Sequence, residues 1–274
     1  MWIIGVLLLL VVGAVTVARI GWTPRPRVGE AMWDLPGLGG VYTGIIGTLA
    51  GFSVASATFI AGLSSARGSP AFAAADGMLL ATFLILMSSA IMYSDTPSFP
   101  ASDDDFAVVF QSLSHVFAYA SYFLGVGVGW LALRPLLLMI DLVSLAEAFT
   151  WLLLATMVAG SARLAVFVYR LTAASGSACL AIPILGIGLP ALYRLLTVRV
   201  WPVLWPATDA AIWFAFVAFG VTSVGFIHQT GLLLVHGGAR QEQRIRRYGH
   251  RFALAYLQVV AITTGLVWFA VATD

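Results

Sequence analysis

The chain has 274 residues, 61% of them apolar and only 9% charged, with a mean hydropathy of +0.97. A soluble domain carries about a quarter charged residues, so the composition excludes one and places the chain in a bilayer. The formal charge of +2 is uninformative about nucleic acid, because in a membrane protein the side on which each Arg falls matters more than the sum.

Residue counts close further classes. All 14 basic residues are Arg and none is Lys, so neither a Schiff base with retinal or pyridoxal nor a Walker-type phosphate loop has its amine. The single cysteine, Cys179, excludes an internal disulfide and every CxxC redox or zinc arrangement.

A hydrocarbon layer about 30 Å thick takes roughly 20 apolar residues per helical crossing. The sequence therefore predicts an all-α, polytopic integral membrane helical bundle of about eight transmembrane helices, or seven, in one transmembrane domain over 1–274. The first apolar run, Trp2 to Ala18, has no basic segment before it and is followed by Arg19, Arg25 and Arg27, so it reads as an anchor with an external N-terminus. Residues 21–40, broken by Pro24, Pro26 and Pro36, read as an interfacial linker. Further spans are predicted at Val41 to Ser65, Ala71 to Tyr93, Phe106 to Leu133, Leu138 to Ala162, Ala178 to Leu192, Asp209 to Val235 and Phe252 to Val271.

This arrangement puts ten Arg residues inside and four outside, namely Arg67, Arg134, Arg194 and Arg199. The imbalance supports the span count and the orientation, and the expected location is a bacterial plasma membrane. Residues 236–251 form a basic cytoplasmic loop in which Arg244, Arg246, Arg247 and Arg251 can meet lipid headgroups. Asp95 and Asp103 to Asp105 then also fall inside, which matters little because acidic residues weigh lightly in this rule. Ser102 before the three aspartates reads as an N-cap with a negative first turn. Asp76, Asp141 and Asp209 read as carboxylates placed near helix N-termini.

The second span carries Gly44, Gly47, Gly51, Ala55, Thr58, Gly62 and Ser65 at spacings of three and four, on nearly one face. In lipid, small residues mark close helix approach. Packing within the chain is the ordinary explanation, with a subunit contact or a pore-lining face as alternatives. In the fourth span Gln111, His115 and Tyr122 share a face, flanked by Ser114 and Ser121. In the seventh, Thr222, Ser223, His228, Gln229 and Thr230 form a second polar group. His115 and His228 come at similar depth and are expected to be able to face each other. Glu147 is the acidic residue expected at bilayer depth, where ionisable groups face protein or water. In the sixth span Pro183 and Pro190 bracket Gly186 and Gly188 and predict a kinked, hinge-like helix.

Three functional classes follow. The favoured one is a channel or transporter passing a proton, small ion or small solute along Gln111, His115, Tyr122, Glu147, Ser223, His228 and Gln229. The second is an accessory subunit of a larger membrane complex. The third is a membrane enzyme using His115, His228 and Glu147 for haem, metal or lipid and isoprenoid chemistry. No catalytic motif stands out, and three consecutive aspartates do not return to one helix face as a magnesium site requires. No cofactor is expected, a bis-histidine haem or metal at His115 and His228 being the alternative. Expected partners are membrane lipids, further copies of the chain or other subunits, and a small ion or solute, without nucleic acid.

Overall fold

The computed structural model describes residues 15, 18, 35–63, 68–95, 105–153, 160, 163–164, 181–182, 184–186, 188–189, 192, 207–234 and 239–272. The first apolar run apart from Val15 and Ala18, most of the 21–40 linker, Pro183, Pro190, and the side chains of Gln111, Arg244, Arg246 and Arg247 lie outside the described residues. The described chain is helical without strands, as the composition requires: a backbone in lipid must satisfy its own hydrogen bonds.

Seven helical segments carry the description. They are α1 Leu35–Gly62, α2 Pro70–Ser94, α3 Asp105–Leu131, α4 Leu133–Met139, α5 Val143–Leu153, α6 Ala207–Leu234 and α7 Ala239–Ala272. Five stretches among them are long and apolar enough to cross a membrane: Gly39–Gly62, Pro70–Ser94, Leu113–Met139, Ala211–Gly231 and Arg251–Ala270. They coincide with the second, third, fourth, seventh and eighth predicted spans. The protein is an integral membrane helical bundle.

Local sequence explains the breaks. Ser69 occupies the N-cap of α2 and Pro70 the first helical position, where a missing N–H costs nothing. Pro135 lies one turn beyond the point where α3 gives way to α4; its ring cannot accept the continuing helical geometry, so the crossing bends there. At the end of α4 the Leu142 N–H donates to the Leu137 carbonyl and the Asp141 N–H to that of Leu138. With Asp141 at φ 58, these two bonds make a Schellman stop in which aspartate takes the left-handed place usually held by glycine.

Four helices form the core. α2 packs on α3, α3 on α7, α7 on α6 and α6 on α2, while α1 lies outside this ring against α2. Side-chain pairs set the directions. Gly129 faces Thr82 and Gly125 faces Leu86, whereas His115 lies beside Tyr93, so α2 and α3 are antiparallel. Gly77 meets Ile212 and Gln229 reaches Met92, so α2 and α6 run parallel. One end of the bundle therefore carries the chain between 95 and 105, and the other carries the α1 to α2 connection.

α1 is buried on one side only. Ile46, Ala50, Ala57 and Ile60 are covered, while Phe52 and Phe59 are 67% and 69% exposed. A Cβ added at Gly44, Gly47, Gly51 or Gly62 meets none of the described residues within 4 Å, and Thr58 is exposed with its hydroxyl bonded to the Val54 carbonyl one turn back. The small-residue face of α1 is thus turned away from the described bundle. The close approaches are made elsewhere, by Gly125, Gly129 and Gly225. Gly186, expected as part of a hinge, is buried against α7, where a Cβ would come within 2.8 Å of Ala261; a Cβ at Gly188 meets nothing.

Candidate functional site

The densest polar and aromatic group lies at the 95–105 end, where α1 begins, α2 ends and α3 begins. Tyr42 of α1 stacks on Tyr93 of α2 with ring centroids 5.1 Å apart. Tyr93 meets His115 of α3 edge-on at 5.6 Å. His115 stacks on Tyr119, one turn further along α3, at 5.7 Å, and Tyr122 completes the group at 6.1 Å from Tyr119. The guanidinium of Arg163 lies 5.9 Å from the Tyr119 ring centroid, in cation–π range. The group is built because residues 115, 119 and 122 recur on one helix face, and that face meets the end of α2 where the α1 tyrosine crosses it.

Burial makes these groups unusual. Tyr93 is fully buried and its hydroxyl has no hydrogen-bond partner among the described residues; the same holds for the Ser114 hydroxyl beside His115. A buried polar atom left unmatched costs about 1–3 kcal/mol, so each one in a native protein calls for an explanation.

A second polar group lies deeper. The hydroxyls of Ser121 and Tyr256 are 2.7 Å apart, the Thr222 side chain lies close to that of Tyr256 while its hydroxyl donates to the Ala218 carbonyl, and Ser121 bonds the Phe117 carbonyl. These hydroxyls tie α3, α7 and α6 together about 9 Å further along the helix axis than His115, at 1.5 Å per residue. Gly225 makes room for Tyr256, since a Cβ there would stand 2.6 Å from its hydroxyl. Beyond this level α2 and α3 close on each other: a Cβ would reach within 2.9 Å of Leu86 at Gly125 and within 2.8 Å of Thr82 at Gly129.

The residues expected from sequence are distributed unevenly over this geometry. His115 and Tyr122 belong to the tyrosine group. His228 does not face His115: it stacks on Phe252 of α7 at 3.9 Å and lies 5.1 Å from Phe117. Residues 115 and 117 point to opposite sides of α3, which separates the two imidazoles and removes the geometry of a shared bis-histidine haem or metal. Gln229 is buried and its amide nitrogen donates to the Met92 carbonyl at 2.7 Å, while its carbonyl oxygen has no partner among the described residues. Ser223 bonds the Phe219 carbonyl of its own helix. Glu147 is exposed on α5 and does not point into the bundle, because α5 buries only Ala146, Thr150 and Leu153. Arg251 is exposed at the same end of the bundle as the tyrosine group.

Tyr42, Tyr93, Tyr119, Tyr256 and Arg163 escaped the sequence reading. Tyr119 had a usable signal, being four residues from His115 on the same face. The others come from distant segments, and only packing brings them together.

The chain matches no known family model, and neither a curated protein nor a solved structure is detectably similar to it.

Proposed function

We propose that this chain is a membrane transport protein that passes protons, taking them up at the tyrosine and histidine group of the 95–105 end. The observation that carries the reading is the fully buried Tyr93 hydroxyl, unmatched by any described residue, on a ring 5.6 Å from the His115 imidazole. Hydroxyls and imidazoles relay protons by exchanging donor and acceptor roles, and ionisable groups within a membrane mark such relays. Size favours the proton over larger cargo: with ring centroids 5.1 to 6.5 Å apart the group is packed, leaving no solute-sized space. Among the described residues no three His, Cys, Asp or Glu side chains gather to hold a metal ion. The seam at Gly125 and Gly129 acts as the closed barrier, and transfer requires it to loosen. With the N-terminus outside, uptake is from the cytoplasmic face.

The test is proton entry into vesicles containing a trapped pH dye, driven by an imposed potential. Tyr93→Phe and His115→Ala are expected to lower the rate at least tenfold, while Glu147→Gln leaves it unchanged. Wild-type rates from both cluster variants, with the proteins correctly folded, would refute the reading.

A second reading, that the chain is an assembling subunit, is favoured by the small-residue face of α1, which none of the described residues covers. Under it, Gly51→Cys cross-links neighbouring copies in native membranes, and a product that stays monomeric counts against self-association.

A further inference from the structure

The opposite end of the bundle holds a feature that proton uptake does not use. Between the end of α1 and the start of α2 lies a pocket of about 370 Å³, lined by Ile60, Ala61, Ser69, Phe72 and Ala73, with Asp76 among its walls. That volume lies in the range of small-ligand sites. Asp76 Oδ1 is buried and has no hydrogen-bond partner among the described residues.

The sequence explanation for Asp76, support from the helix N-terminus, does not reach it. Pro70 is the first residue of α2, so Asp76 stands in the seventh position, and the field of a helix end fades within the first turn. Six residues at 1.5 Å each place it about 9 Å along the helix from that end, in the wall of a pocket whose other walls are Ile60, Ala61, Phe72 and Ala73 with Ser69 at the helix start. A carboxylate drawn out of water there is stabilised by a positive partner. One carboxylate is too few for a calcium or magnesium ion, which takes six or more oxygen ligands. An organic ammonium suits the walls better: its charge meets the carboxylate, its apolar body meets Ile60 and Ala73, and the Phe72 ring offers a cation–π face.

We propose that this pocket binds an ammonium group, carried by a small amphipathic amine or by an aminophospholipid headgroup, with Asp76 as its counter-charge. The test uses the full chain in phosphatidylglycerol nanodiscs, titrated calorimetrically with benzylammonium and, separately, with its neutral analogue benzyl alcohol. Benzylammonium is expected to bind at least tenfold more tightly than the alcohol, and Asp76→Asn is expected to abolish that difference. Phe72→Ala, which leaves the carboxylate in place, is expected to weaken benzylammonium several-fold. Adding phosphatidylethanolamine to the discs separates the sources: competition identifies the headgroup as occupant, and unchanged affinity identifies a soluble amine. Equal binding of amine and alcohol to the wild-type protein, or no binding of benzylammonium, overturns the proposal whether or not the Asp76 variant folds.

Discussion

Glycine plays opposite parts on α1 and α3. Gly44, Gly47, Gly51 and Gly62 recur along α1 with the spacing expected of a packing face, yet a Cβ at any of them would meet none of the described residues. Gly125 and Gly129 sit on α3 with less conspicuous repetition, and there α2 approaches so closely that a single added carbon collides with Leu86 or Thr82. Periodic small residues permit close approach without bringing a partner. The partner arrives only where the neighbouring helix also has the matching shape, and among the described residues nothing lies against the α1 face.

Substitutions sharpen this contrast. The largest effect is expected from Gly129→Leu, which drives a branched side chain into Thr82; overpacking of this kind costs about 1–3 kcal/mol or more, and thermal melting in detergent should show the loss. Gly225→Ala is expected to cost about 1–2 kcal/mol, since it pushes the Tyr256 hydroxyl from Ser121, a buried hydrogen bond being worth about 1 kcal/mol before strain is added. Tyr256→Phe, which removes the hydroxyl without a collision, is expected to cost about 1 kcal/mol in the same assay. Gly47→Ala and Gly51→Ala are expected to leave the monomer as stable or slightly more stable, because alanine gains up to about 1 kcal/mol over glycine within a helix. Marked destabilisation of the monomer by the α1 changes would break the comparison.

The smallest effect concerns Asp95, just past the end of α2. Burial pushes its carboxyl above the usual value of 3.8. A carboxyl whose pKa rises on folding binds its proton more tightly in the native state, so it costs stability once the pH exceeds 3.8 and that cost is relieved as the pH falls below the native value. Asp95→Asn should therefore raise the melting temperature slightly at pH 7 and make no difference near pH 3. Melting curves of the two proteins across that interval check the sign.

The crossings themselves were readable in the sequence because the bilayer sets their length and forbids charge: the five described spans fall on predicted runs. Which face of each helix turns inward was not. α2 buries Ala74, Met78, Ile85 and Leu86 but exposes Leu80, Met87 and Ile91, and lipid accepts such residues as readily as protein does. Without a polar outer face the usual amphipathic signal is lost. Polar residues retained some signal, so His115 and Tyr122 were found. Their partners Tyr42 and Tyr93 lie 51 positions apart and look like ordinary span-end tyrosines until the helices are assembled. Glu147 failed as an interior acid for a related reason. A lone carboxylate among leucines looks buried in a string of letters, but the helix turns only Ala146, Thr150 and Leu153 inward, and Glu147 stands about a quarter turn off that face, exposed.

The left-handed backbone at Asp141 has an effect far from itself. It reverses the chain, and from that reversal the return leg must deliver Gly160 against Phe123 and Arg163 over Tyr119. One residue inserted or removed just after it would swing the α5 positions that follow by about 100°, turning Ala146, Thr150 and Leu153 out of the buried side they occupy. Asp141 therefore acts as an indexing point, setting which side of α5 faces inward.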